Sequence, residues 1–244
     1  MLKGIAAAAS GMIPRVRKQE AIANNLANSV TAGFKRDRVF FQDLSKAQAK
    51  LMKGEADWQL PPQAVGAIDF KQGTLEHTGH ALDLALAGEG FFAVSTPDGE
   101  RYTRNGHFDI SPTGVLTTTD GNPVLGTNGP LQMPPGDISV SGAGVVSVNG
   151  RTVGNLRIVN FADTSVLIRA GSALLGVNNP SIKPVEGPTL AVRQGYLEGS
   201  NVSTIEEMVD MITTYRFFET DQKAIQMQDE TLGKAVNELG RVPG

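Results

Sequence analysis

Cysteine is absent from the 244-residue chain. That removes disulfides, thiolate catalysis and thiolate metal sites together. Aromatic residues are scarce at 6%, with a single tryptophan, Trp58. A core must therefore rely on Val, Leu, Ile and Ala, and little material is left for an aromatic binding platform. Charge is sparse and balanced, at 19% charged residues and a formal net charge of -3. Nothing in that balance attracts nucleic acid or an anionic membrane. No apolar run approaches the roughly 20 residues of a transmembrane span. The run Ile5–Ala9 is shorter than the roughly 7–15 residues of a signal-peptide core. Arg15, Arg17 and Lys18 follow it closely, so the N-terminus reads as the start of a helix.

Catalytic signatures are also lacking. Gly88-x-Gly90-x-x-Ala93 imitates a dinucleotide fingerprint, but Phe91-Phe92-Ala93-Val94 continues it as a strand, whereas a true fingerprint opens a helix. There is no G-x-S-x-G and no Walker motif. His77, His80 and His107 lack further ligands at metal-site spacing and read as solvated turn residues. Asp69, Asp83 and Asp109 have no evident partner and read as turn or strand-edge positions. The sequence thus predicts no catalytic, cofactor-binding or metal residue, no cofactor and no small-molecule substrate.

What the chain does contain is a matched pair of helical ends around a β-rich middle. Met208, Tyr215, Gln222, Asp229 and Val236 recur every seven residues, and so do Met211, Phe218, Ile225, Leu232 and Leu239. Two such rows make the a/d seam of paired helices. Near the N-terminus, Ile5, Met12, Gln19 and Leu26 form one row and Ala9, Val16 and Ala23 another. The first helix is expected over about 3–28, with Pro14 either kinking it or lying in its first regular turn. The second is expected over 203–239, opened by a capping box of Ser203 and Glu206. Gln222 and Asp229 are polar seam positions of the kind that set register. Asn24, Asn25 and Asn28 either hydrogen-bond a neighbouring subunit or end the helix.

Between these ends the period changes to two. Leu82, Leu84 and Leu86 alternate with Asp83 and Ala85. Pro97-Asp98-Gly99, Asn105-Gly106, Pro112-Thr113-Gly114, Asp120-Gly121 and Asn149-Gly150 punctuate short strands. The expected architecture is mainly β with α. A central antiparallel β domain is flanked by N- and C-terminal helices that form a coiled-coil-like terminal domain. The boundaries are 1–34 for the N-terminal helical segment, 35–74 for a linker, 75–195 for the β domain and 196–244 for the C-terminal helical segment. Arg36 to Lys53 has some helical propensity within that linker, and Leu60-Pro61-Pro62 forces extension.

These stretches resemble a known family. Ala23-Asn24-Asn25-Leu26-Ala27-Asn28 followed by Gly33-Phe34-Lys35 is similar to the N-terminal signature of the bacterial flagellar rod and hook axial proteins. Gln72-Gly73-Thr74-Leu75, Leu82-Asp83-Leu84-Ala85, Gly90-Phe91-Phe92 and Tyr102-Thr103-Arg104-Asn105-Gly106 continue the likeness. So does Gly195-Tyr196-Leu197-Glu198-Gly199-Ser200-Asn201-Val202. The match runs nearly end to end and leans to the proximal-rod FlgF type, with the distal-rod FlgG type next. Ser29-Val30 and Pro14 depart from the usual pattern. The resemblance implies a non-enzymatic structural subunit of the basal-body rod, which crosses the periplasm and transmits torque to the hook. It implies export through the flagellar type III apparatus and assembly with itself and other rod subunits. The expected assembly interface comprises Ile5, Ala9, Met12, Val16, Ala23, Asn24, Asn25, Leu26, Asn28, Met208, Met211, Tyr215, Phe218, Ile225, Leu232, Val236 and Leu239. The alternatives are a distal-rod or short hook-type axial protein, or a secreted β-domain adhesin on a helical stalk.

Overall fold

The computed structural model describes residues 2–42, 63–171, 173–179, 182, 184–186 and 191–239. Trp58 and the double proline lie outside the described residues. The chain divides into two compact units. One draws on Met1–Leu26, Asp37–Ala67 and Ser203–Gly244, and the other on Ala27–Arg36 and Ile68–Val202.

The first unit holds both long helices. Helix α1 spans Leu2–Ala27 and keeps Pro14 inside it. Helix α2 spans Thr204–Leu239, 36 residues. Its start follows the expected cap, since Ser203 Oγ accepts from the Glu206 backbone N–H at 3.4 Å and Ser203 O accepts from that of Glu207 at 3.0 Å. No described helix is long and apolar enough to cross a membrane. The segment read as a linker has local structure of its own. Asp37–Gln42 and Gln63–Ile68 pair as a two-stranded sheet. Val39, Phe40 and Phe41 are residue types that favour strands, and over Asp37–Gln42 this preference prevails over the helical propensity read from Arg36 onward.

The second unit is built from antiparallel pairs. Its largest sheet has six strands in the order Leu167–Arg169, Leu174–Val177, Gly99–Thr103, Phe91–Thr96, Ile158–Asn160 and Val185–Glu186. Phe91 to Val94 are all buried, because the sheet is covered on both faces. Phe92 and Val94 join one apolar cluster with Phe108, Val124, Val146 and Val192. Phe91 and Ala93 join another with Tyr102, Phe161 and Leu175. A strand buried on both faces reads as a continuous apolar run, not as an alternation. Leu84–Ala87 departs from the expected alternation for a related reason. Leu84, Ala85 and Leu86 are all buried where this strand pairs with Ala191–Gln194. The Asn149-Gly150 hairpin is as expected: both residues have positive φ, 52° and 76°, and Val148 pairs with Arg151 across it.

Two strand pairs bring early and late parts of this unit together. Leu84–Ala87 pairs with Ala191–Gln194, and Leu75–His77 with Tyr196–Glu198. The stretch that enters the β unit is thereby bonded to the stretch that leaves it.

Candidate functional site

The expected assembly residues on α2 fall into two groups. Met211, Phe218 and Ile225 are half-buried, whereas Met208 and Tyr215 stand 50% and 54% exposed. Gln222 and Asp229 are exposed too. The row that partners Met211 and Phe218 inside the unit is instead Glu207, Thr214 and Asp221. Glu207 and Thr214 are buried and Asp221 is half-buried. The inner stripe therefore runs 207, 211, 214, 218, 221, 225, a heptad seam in which one row is polar. The Met/Phe/Ile row is flanked by candidates on either side. Arg15 of α1 decides for the polar flank: its Nε lies 2.9 Å from Asp221 Oδ2, and its guanidinium stacks on Phe217 at 4.9 Å. Sequence periodicity favours the apolar flank because it scores hydrophobicity and not cross-helix charge.

The apolar flank is left outside. Ile205, Met208, Ile212 and Tyr215 follow one another at three, four and three residues along one face, and all are exposed. On α1, Met12 and Leu26 are half-buried while Val16 and Ala23 are exposed. Ile5, Ala9, Leu232, Val236 and Leu239 lie on the helices, but their side chains lie outside the described set.

The asparagines bond within the chain. Asn25 is buried, donating from Nδ2 to Asp37 O at 2.9 Å and accepting from the Asp37 N–H at 2.8 Å. Asn24 Nδ2 donates to Asp37 Oδ2 at 2.8 Å. Asn28 Oδ1 accepts from Thr31 Oγ1 at 3.2 Å. Asn25, near the end of α1, thus bonds the start of the hairpin at Asp37.

Asp83 also differs from its expected role. It is buried, with Oδ1 2.6 Å from His107 Nδ1. The two residues are cross-strand neighbours through an isolated bridge, a proximity that no local spacing reveals. His77 packs edge-on against Tyr196 with ring centroids 4.8 Å apart. Among the described residues no group of three or more metal-ligating side chains converges.

A buried ion cluster in the β unit escapes sequence reasoning as a site, although its residues lie in the stretches that carry the family likeness. Glu198 is fully buried, and Lys35 and Arg104 are nearly so. Lys35 Nζ donates to Glu198 Oε1 at 2.5 Å and to Lys71 O at 2.7 Å. Arg104 Nη1 donates to Glu198 Oε2 at 3.2 Å, and its Nη2 to Gly88 O at 2.7 Å. The Gly73 N–H adds a third donor to the carboxylate at 3.0 Å. Burial pushes the Lys35 ammonium below its ordinary pKa, against the pull of the Glu198 charge, and the Arg104 charge pushes the same way as burial. Burial lowers Arg104 as well, again opposed by Glu198. Only glycine fits around the cluster. A Cβ on Gly73 would stand 2.0 Å from Gly199 O, and one on Gly33 would stand 2.2 Å from the Asn105 nitrogen. A charged residue within two positions of a glycine in three separate stretches is the only signal the sequence offers for this cluster.

Comparison with known proteins finds three family matches along the chain. Residues 5–35 match the family described as flagella basal body rod protein. Residues 85–148 match the flagellar hook protein FlgE/F/G D1 domain. Residues 193–238 match the flagellar basal body rod FlgEFG protein C-terminal family. Lys35, Arg104 and Glu198 fall one in each. The chain is 36% identical over 261 residues to the flagellar basal-body rod protein FlgG of Bacillus subtilis, covering 97% of this chain and 99% of that protein. It is 33% identical over 229 residues to the rod protein FlgF of Caulobacter vibrioides, covering 93% of each. It is also 33% identical over 246 residues to FlgF of Escherichia coli, covering 93% of this chain and 94% of that protein. FlgG and FlgF relatives match at similar identity, so the lean toward the FlgF type has no support from these likenesses. With both helices and the β unit matched in chain order, the chain belongs to the bacterial flagellar basal-body rod protein family.

Proposed function

We propose that this chain, a structural and non-enzymatic rod subunit, joins the rod through the outward apolar faces of its terminal helices. On α1 these faces include the exposed Val16 and Ala23, and on α2 the exposed Met208 and Tyr215; Ile5, Ala9, Met12, Leu26, Met211, Phe218, Ile225, Leu232, Val236 and Leu239 of the same helices, with Asn24, Asn25 and Asn28, complete the interface. Its neighbours are copies of itself and other rod proteins. It reaches the rod by flagellar type III export, and once assembled it crosses the periplasm and carries torque to the hook. One observation carries the reading: α2 keeps Ile205, Met208, Ile212 and Tyr215 on a single exposed face while a polar row points inward. A helix apolar on its outer face is covered by something else when it functions.

Tyr215→Asp tests it. The side chain is largely exposed in the single chain, so the variant should fold with an unchanged melting point. In the assembly it would bury an unpaired carboxylate, at several kcal/mol per interface. Cells with this variant as their only copy should neither swim nor yield complete basal bodies. Glu230→Lys, at an exposed polar position, is the control and should be tolerated. Normal swimming with Tyr215→Asp would remove this face from the assembly interface.

A further inference from the structure

The chain passes between its two compact units at four places: after Leu26, after Arg36, after Ala67 and after Val202. Two residues of the last stretch bond the others. Glu198 takes Lys35, Arg104 and the Gly73 N–H on its carboxylate, and its backbone carbonyl accepts from the Gly33 N–H at 2.7 Å. Asn201 Oδ1 accepts from the Arg36 N–H at 2.7 Å, and its Nδ2 donates to Asp69 O at 2.8 Å and Lys71 O at 3.0 Å. The same three stretches are cross-bonded again by Asp69 N–H to Arg36 O and by Gly199 N–H to Thr74 O, both at 2.8 Å.

We propose that Glu198 and Asn201 form a junction clamp that opens and closes in one step, fastening the stretches beside all four crossings. The chemistry favours one step over several. Releasing the 196–201 stretch strips the anion from Lys35 and Arg104 together, leaving two like charges in a buried space. Breaking one side of a buried ion pair is far costlier than removing the whole group. Partial opening is therefore the least favourable state. The clamp fixes the points from which both long helices leave the β unit. Ala27 ends α1 eight residues before Lys35, and Thr204 opens α2 six residues after Glu198.

Native-state hydrogen exchange on the full chain, over a denaturant series, tests the clamp without reference to rod assembly. The amides of Gly33, Arg36, Asp69, Gly73 and Gly199 should share one opening curve. That opening should be at least tenfold more frequent than that of Ala93, whose N–H is bonded to Arg157 O within the main sheet. Asn201→Ala should accelerate Gly33 and Gly73 about tenfold, although Asn201 touches neither, and should change Ala93 less than threefold. Glu198→Gln should do the same to Arg36 and Asp69. Five separate curves, or amides that open only together with Ala93, would overturn the clamp. So would an Asn201→Ala effect confined to Arg36, Asp69 and Lys71. If Glu198→Gln does not fold, the wild-type curves and Asn201→Ala still decide.

Discussion

The two compact units are opposites in how they place polarity. In the β unit, Phe92, Val94, Phe108 and Val124 fill the interior, and the buried charges of Lys35, Arg104 and Glu198 are bonded to one another and to backbone. In the helical unit, Glu207 and Thr214 are buried, while Ile205, Met208, Val209, Ile212, Tyr215 and Phe217 are exposed on the same helix. The first unit closes its own core. The second leaves large apolar side chains of α2 uncovered among its described residues, and long helices gain most of their stability from packing such faces. The difference teaches that stability of the single chain and competence to assemble are carried by different residues, so substitutions should separate them.

The sharpest separation should come from Phe92→Ala. Phe92 is fully buried and packs edge-to-face on Phe108 with centroids 5.2 Å apart. Deleting it loses transfer energy and leaves a cavity, at about 3–5 kcal/mol. Calorimetry should show the main transition displaced to far lower temperature, in contrast to the unchanged melting point expected of Tyr215→Asp. A cost under about 1 kcal/mol would mean that the core around this sheet collapses freely onto the gap, and the contrast between the units would lose its basis.

A smaller effect of opposite sign should come from Thr214→Val in the helical unit. The Thr214 hydroxyl is buried on the inner stripe and has no hydrogen-bond partner. Valine has nearly the same shape and no polar atom to leave unsatisfied. Removing an unpaired buried hydroxyl should stabilise the helix pair by about 1 kcal/mol. Circular dichroism of helix melting should shift upward while the β transition stays in place. A downward shift would show that the hydroxyl is already satisfied there, and that the inner row is polar without cost.

How much of this was legible in the sequence follows from the range of the interactions involved. The helices, the Ser203 cap, the Asn149-Gly150 turn and the antiparallel β middle are set by neighbours within a few residues, and they appear as read. The Met211, Phe218, Ile225 row was legible as a heptad, but the choice of its partner row depends on Arg15, about 200 residues away. The strands at Asp37–Gln42 and Gln63–Ile68 were hidden because each needs the other, across an intervening stretch. The ion cluster was the least legible, since Lys35, Arg104 and Glu198 are brought together only by the strand pairings of the whole β unit. Asp83 and His107 fail for the same reason.

The smallest expected effect concerns pH and lies wholly in the β unit. Tyr102 is buried in the second apolar cluster, and burial, with the negative charge of Glu100 nearby, pushes its phenol up to about 12 from an ordinary 10. Below pH 10 both the folded and the unfolded chain keep this proton, so its contribution is complete there. As pH rises from 10 toward 12 the unfolded chain releases the proton and the folded chain retains it, so stability is lost through that window. A shift of this size corresponds to at most about 2.7 kcal/mol, reached only above the folded pKa. Lys35 works in the opposite direction. Its folded pKa lies below 10.5, so the unfolded chain binds the extra proton and stability rises with pH between the two values. A single alkaline melt therefore mixes two slopes of opposite sign. Comparing wild type with Tyr102→Phe in urea melts at pH 9, 10 and 11 isolates the tyrosine, because Lys35 is common to both chains. Wild type should lose stability relative to Tyr102→Phe as pH rises. A difference that stays constant across the series would show that the phenol is as well solvated as an exposed one, and that this face of the sheet is less dry than its packing indicates.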